Sequence, residues 1–141
     1  MNFARIALAS VAALVAYMAL GGLLFAVIPS LKTEFGKYPA VYRSQQGQMS
    51  HMPTGMAAML LSMVVLAVLY AKLYTPGSGL VQGAVFGVLI GLYAVGSFVL
   101  HNYVNLNIGL KLALGQALAY FVQWTIIGIV IGLIYKPLAT P

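Results

Sequence analysis

The sequence predicts an all-α integral membrane protein in which residues 1–141 form one domain, a four-transmembrane-helix up-down bundle. Three observations lead to this prediction. Hydrophobic residues make up 62% of the chain and charged residues only 6%, whereas a soluble domain carries about 25% charged residues. Apolar stretches of spanning length recur four times, and they lack the alternation of barrel strands. Only helices or closed barrels satisfy their backbone groups in lipid, so the spans are predicted as helices.

The four predicted helices cover about residues 4–29, 53–74, 79–101 and 109–136. Each is bounded by proline, glycine, asparagine or lysine, as helix ends commonly are. The first has the basic start of a secretory signal, but its apolar run over 6–28 is long enough to cross ~30 Å of hydrocarbon. We therefore expect it to be retained as a span.

The first connection, residues 30–52, is predicted as the one long extramembrane loop. It holds the only acidic residue of the chain, Glu34, which we expect to pair with Lys32 or Lys37. Its tyrosines are expected at headgroup depth, where amphipathic rings concentrate. The main interpretation is a loop lying on the membrane surface, and the alternative is a docking or lid segment.

Four spans place both termini on one membrane face and the long loop, with both histidines, on the other. Positive charge marks the cytoplasmic face of many membrane proteins. Here three basic residues lie on the terminal face and four on the loop face, so the count assigns no orientation. The terminal face carries Arg5, Lys72 and Lys136, and the loop face carries Lys32, Lys37, Arg43 and Lys111.

The third predicted helix carries glycines at four-residue intervals, and the fourth repeats the spacing. Such a ridge lets another backbone approach closely, which matters in lipid because helix association there depends on close contact and hydrogen bonds. The ridge is predicted to pack within the chain. The alternative is that it faces a partner subunit or a flat ligand such as a pigment, sterol or quinone ring. The helix-packing glycines are Gly79, Gly83, Gly87, Gly91, Gly128 and Gly132.

A methionine stripe opens the second predicted helix. Met52, Met56, Met59 and Met63 follow the spacing of one helical face. Thioethers are soft ligands that suit Cu(I), so the stripe is a candidate copper site. The alternative is that these flexible side chains fill irregular gaps or form an adaptable interface.

The two histidines lie at the same predicted membrane face, His51 at the start of the second helix and His101 at the end of the third. They are candidate ligands for haem, or singly for a chlorophyll-type magnesium. The alternative is contact with headgroups, water or loop carbonyls.

Polar side chains also occur inside the predicted spans. Gln116, Tyr120 and Gln123 share one face of the fourth helix, and Gln82 lies on the third. Polar groups at this depth need partners, so we expect them to point inward and bond to other helices. The alternative is that these side chains form a binding site for a quinone or pigment carbonyl, or for a solute or lipid.

Several classes of function require residues that this sequence lacks. Charged side chains occur only near the ends of the predicted spans and none lies in their interior, which argues against an ion pump. The chain has no cysteine and one acidic residue, so thiol nucleophiles, paired carboxylates and serine triads are excluded. We expect no enzyme activity from the chain alone. No basic face exists, so nucleic acid is not an expected partner.

The segments ALGGLLF, GAVFGVLIG and WTIIGIVIGLIYK, with a short polar turn after the second, give the chain a recognisable layout. In this layout it resembles small four-helix bacterial integral-membrane proteins of unknown function. The resemblance implies a bacterial cytoplasmic membrane and brings no known active residues.

The sequence thus favours a non-catalytic accessory or scaffold subunit of a larger membrane complex, respiratory or photosynthetic, with membrane lipids and other subunits as partners. Small size, lack of catalytic residues and several glycine-rich faces motivate this hypothesis. Two alternatives are a protein that binds haem, pigment or copper through its histidines, and a small lipid or solute carrier.

Overall fold

The computed structural model describes residues 1–135. Lys136, which ends the last predicted helix, lies outside the described residues. Four helices are long and apolar enough to cross a membrane, which confirms the prediction of an all-helical multi-pass membrane protein for the part of the chain described. The helices are α1 (Phe3–Val27), α2 (Pro29–Glu34), α3 (Gln45–Leu73), α4 (Gly79–Asn105) and α5 (Leu110–Ile134).

The start of α3 differs from the predicted boundary. The helix begins at Gln45, so the predicted loop 30–52 loses its last third to helix. The hydroxyl of Ser44 caps it by accepting a hydrogen bond from Gly47 N at 3.2 Å. Pro53, taken from the sequence as a boundary, lies inside the helix. A helix of 29 residues is ~43 Å long, so its polar first turns extend beyond ~30 Å of hydrocarbon.

The end of α4 also differs from the prediction. The helix continues past His101 to Asn105, whose Nδ2 donates to His101 O at 2.8 Å. Between Val95 and Leu100 the backbone takes the wider hydrogen-bonding pattern of a π-helix. The predicted turn after residue 101 is therefore mostly helical, and only a few residues separate α4 from α5.

The long helices form a row in the order α3, α1, α5, α4. The most extensive contact joins α4 to α5, while α5 also packs on α1 and α1 packs on α3. In the predicted up-down bundle, the short connection between the second and third spans would make α3 and α4 neighbours, but the backbones of these two helices hardly approach each other. The reason lies in α4, whose glycine-rich face is taken by α5.

A hydrophobic core joins the four long helices at the end of the bundle where Asn2 N lies 3.5 Å from the Tyr135 hydroxyl. Small side chains of α1 allow α3 to come close, and Ser10 Oγ donates to Ile6 O at 2.8 Å within α1. The rings of Tyr70 and Phe86, whose centroids lie 5.4 Å apart, bridge α3 and α4 near this end. The core residues are Ile6, Ala9, Ala13, Met63, Ala67, Tyr70, Phe86, Ile127, Ile131 and Tyr135.

Candidate functional site

The glycine ridge of α4 is occupied within the chain. A Cβ added to Gly83 would lie 2.5 Å from Gly128 O, and one added to Gly87 would lie 2.8 Å from Thr125 Cα. Both distances are shorter than side chains tolerate, so only glycine permits this approach. The opposing surface of α5 uses glycines as well. The residues in contact are Gly79, Gly83, Gly87 and Gly91 of α4 with Phe121, Thr125, Gly128 and Gly132 of α5.

Three of the predicted intramembrane polar residues line one cavity of about 160 Å³ between α1, α2 and α5, here called the polar cavity. Gln123 is 5% exposed and donates from Nε2 to Tyr17 O at 2.7 Å. Gln116 donates from Nε2 to the hydroxyl of Tyr42 at 3.2 Å. The remaining walls are apolar. The lining residues are Gly21, Leu24, Phe25, Leu31, Phe35, Gln116, Ala119, Tyr120 and Gln123.

Gln82, the fourth residue of the predicted polar set, lies elsewhere. Its Nε2 donates to Thr75 O at 2.6 Å, across the turn that joins α3 to α4. The side chain therefore helps to hold this turn and takes no part in the polar cavity.

Residues 29–42, here called the α2 segment, cover the polar cavity. Leu31 is buried against α5 in a second hydrophobic cluster. Gly115 of α5 makes room for it, because a Cβ there would lie 3.2 Å from Ser30 Cβ and still closer to Ser30 Oγ. The hydroxyl of Tyr38 accepts a hydrogen bond from Gly109 N at 2.8 Å, just before α5 begins. Part of the predicted surface loop is thus fixed on the helices.

Glu34 helps to hold the α2 segment on α5 through ion pairs. Its Oε1 lies 3.0 Å from Lys37 Nζ and 3.3 Å from Lys111 Nζ, so one carboxylate bridges the segment and the first turn of α5. The hydrogen bond from Lys37, opposed by desolvation and supported by Lys111, lowers the pKa of the Glu34 carboxyl from its ordinary value.

We expect the α2 segment to loosen in acid. A lowered folded-state pKa means that the carboxylate stabilises the folded state above the ordinary glutamate value of about 4.3, and that this contribution is lost as the pH falls through the folded pKa. Amide hydrogen exchange of the α2 segment, corrected for intrinsic rates, should therefore show less protection at about pH 3 than at about pH 6. Glu34→Gln should already be loosened at pH 6 and change little with pH. Equal protection of the unmodified chain at both pH values would contradict this assignment.

A long apolar gap, here called the α3–α4 groove, runs between the two helices that the fold leaves apart. It consists of two cavities of about 470 and 280 Å³ that follow each other along the gap. Two polar atoms near it, Trp124 Nε1 and the Tyr70 hydroxyl, are buried without a hydrogen-bond partner among the described residues. The groove is lined by Leu61, Ser62, Val65, Leu66, Leu69, Tyr70, Leu73, Thr75, Val81, Gln82, Val85, Phe86, Leu89, Ile90, Tyr93, Ala94 and Trp124.

The methionine stripe divides in the structure. Met63 is fully buried in the core, while Met52, Met56 and Met59 line a groove of about 290 Å³ between α1 and α3. Met18 of α1 lines the same groove, so it brings thioethers of two helices together. The Cu(I) hypothesis stays a prediction, now with Met18 as an added ligand candidate.

The histidines are both exposed on their own helices. His51 Nδ1 lies 2.9 Å from Gly47 O and 3.0 Å from Ser50 Oγ, one turn or less away in α3. Neither His51 nor His101 lines any of the cavities described above. The haem and pigment hypothesis therefore rests on the sequence, and a visible spectrum with metal analysis of the purified chain would decide it.

Sequence reasoning missed the α2 segment and the α3–α4 groove. The position of Trp124 offered one signal, because tryptophan concentrates at membrane interfaces and this one falls near the middle of α5. An indole at that depth suggests a specific neighbour. No protein-family model matches the chain, and no curated protein or solved structure matches it.

Proposed function

We propose that the chain is a non-catalytic accessory subunit of a larger membrane complex and that it accepts a transmembrane helix of a partner subunit in the α3–α4 groove. The observation that carries the proposal is the open groove itself. Helix α3 is held by α1 along one side, and on the side facing α4 its backbone makes few contacts with other helices. In lipid, a further helix that fills this gap gains close contact on two sides.

An exposed polar side chain on the groove wall favours a helix over lipid tails. Tyr93 lines the groove and is 72% exposed, so an occupant of the groove can meet it. Acyl chains carry no hydrogen-bonding group, whereas a helix can supply one from asparagine, glutamine, serine or threonine. The occupant is therefore a mainly apolar transmembrane helix with a polar side chain at the depth of Tyr93.

The wider setting belongs to the same proposal. The resemblance to small bacterial integral-membrane proteins supports a bacterial cytoplasmic membrane, with a respiratory or photosynthetic complex as the assembly. Four spans put both termini on one side of that membrane. The single acidic side chain of the sequence is engaged by Lys37 of the α2 segment and by Lys111 of α5, which supports a structural role.

A bulky residue in the groove should block the partner. Val65 lines the groove and Val64 does not, although both are exposed on α3. We expect Val65→Trp to abolish co-purification of the partner chain in mild detergent and Val64→Trp to preserve it. Helical circular dichroism and a monodisperse elution profile would show that both variants fold. A partner retained equally by both variants, or a lone monomer from the unmodified chain, would contradict the proposal.

A further inference from the structure

We infer that the polar cavity binds the hydroxyl head of a neutral, long-chain alcohol of the membrane, with the α2 segment as its cover. The inference is independent of the proposed partner helix, because the polar cavity lies between α1, α2 and α5 and shares no lining residue with the α3–α4 groove.

The first step is the hydrogen-bonding inventory of the polar cavity. Tyr17 O can only accept, so the Gln123 amide must present its NH₂ group there, which leaves Oε1 free. Gln116 Oε1 and the Tyr120 hydroxyl likewise have no hydrogen-bond partner among the described residues. Two carbonyl acceptors and one hydroxyl are therefore available to a ligand that can both donate and accept hydrogen bonds. A hydroxyl group does both.

The second step concerns charge. No acidic, basic or histidine side chain lines the polar cavity, and its other walls are leucine, phenylalanine, alanine and glycine. A charged ligand would lose its hydration here without a counterion, which is strongly unfavourable. The ligand is therefore neutral.

The third step concerns size and route. A volume of about 160 Å³ corresponds to about five water molecules, so it holds a head group and not a whole lipid. Phe25 at its edge is 44% exposed on the outer surface of α1, where lipid would surround the helix. The hydroxyl can sit between Gln116 and Gln123 while the tail leaves past Phe25 into the bilayer.

The close approach of α1 and α5 supports a built site. A Cβ added to Gly21 would lie 3.3 Å from Gln123 Nε2, so the absent side chain lets the amide reach across to α1. The amide is thereby held in one orientation, with its oxygen available. Fixing a polar group in this way is how small-molecule sites obtain specificity.

The test uses the full chain in detergent micelles and a long-chain alcohol with a diazirine on its tail. After irradiation, mass spectrometry should place the label on peptides of α1, α2 or α5 that border the polar cavity. Dodecanol should compete with the label, while dodecyl methyl ether, which cannot donate, should compete about ten-fold less well. Competition by glycerol instead of dodecanol would overturn the membrane source of the ligand.

Variants distinguish binding in the polar cavity from nonspecific association of the probe with the protein. Gln116→Leu with Gln123→Leu should reduce labelling about ten-fold, and Gln82→Leu, outside the polar cavity, should leave it unchanged. Ala119→Phe fills the polar cavity without removing a hydrogen bond and should also abolish labelling, which keeps the test decisive if the glutamine variant unfolds. Equal labelling of all variants, or equal competition by the alcohol and its ether, would overturn the inference.

Discussion

Gly87→Ala should strongly destabilise the protein. The new Cβ would lie 2.5 Å from Thr125 O and 2.8 Å from both Thr125 Cα and Trp124 O, and backbone atoms cannot move aside as a flexible side chain can. Helices α4 and α5 would have to separate along their whole contact. Overpacking of this kind costs about 1–3 kcal/mol, and adding Gly83→Ala should raise the cost further. Thermal unfolding in detergent would measure the loss.

Gly96→Ala is the matched control in the same helix. A Cβ at Gly96 meets no atom within 4 Å, so the change is expected to be neutral or to stabilise by about 0.5–1 kcal/mol through the higher helix propensity of alanine. If Gly87→Ala unfolded at the same temperature as Gly96→Ala, the close contact between α4 and α5 would be wrong.

Gly115→Leu should release the α2 segment from α5. The leucine side chain would occupy the space now filled by Ser30 and Leu31. Leu31 would return from its buried position to the surface, at a cost of about 1.5–3 kcal/mol, while the core at the other end of the bundle stays intact. Limited digestion with trypsin should then cut after Lys32 or Lys37 at least ten-fold faster than in the unmodified chain.

Gly22→Leu provides the control for that experiment, since a Cβ at Gly22 also meets no atom within 4 Å. It should leave the cleavage rate unchanged. The same variant also tests whether the α2 segment covers the polar cavity. If it does, Gly115→Leu should reduce labelling by the diazirine alcohol. Rapid cleavage of the unmodified chain at these lysines would show that the segment is not held on α5.

The spans were predictable because lipid demands long apolar stretches, and the sequence shows them directly. The ends of the helices were harder to predict. Pro53 and the polar residues before it suggested a boundary, yet a helix that leaves the hydrocarbon can continue with polar residues in headgroups or water. The last turn of α4 escaped notice for the same reason, since His101 and Asn105 are polar but helical.

Tertiary neighbours were harder to predict than helices. Glycine spacing indicated a close approach at α4 but could not say which backbone makes it, because many surfaces suit a glycine ridge. The methionine spacing on α3 could not reveal that Met18 of α1 joins it. Leu31 lies in a helix of six residues, too short for a periodic pattern to show that one side is buried.

The candidate site was partly predictable. Gln116, Tyr120 and Gln123 share a face by spacing alone, and the structure places them around one cavity. Gln82 could not be separated from them by sequence, because its role depends on the position of Thr75 O across a turn. The α3–α4 groove exists because the backbones of α3 and α4 stay apart, and no local sequence pattern shows this separation.

The most direct test of the proposed function is site-specific photo-crosslinking in the native membrane. A photoreactive amino acid at Val65, on the α3–α4 groove, should give a discrete crosslinked species with one partner chain, and the same group at Val64 should not. Crosslinks to lipid alone from both positions, or the same protein crosslinks from both, would contradict the account of a partner helix between α3 and α4.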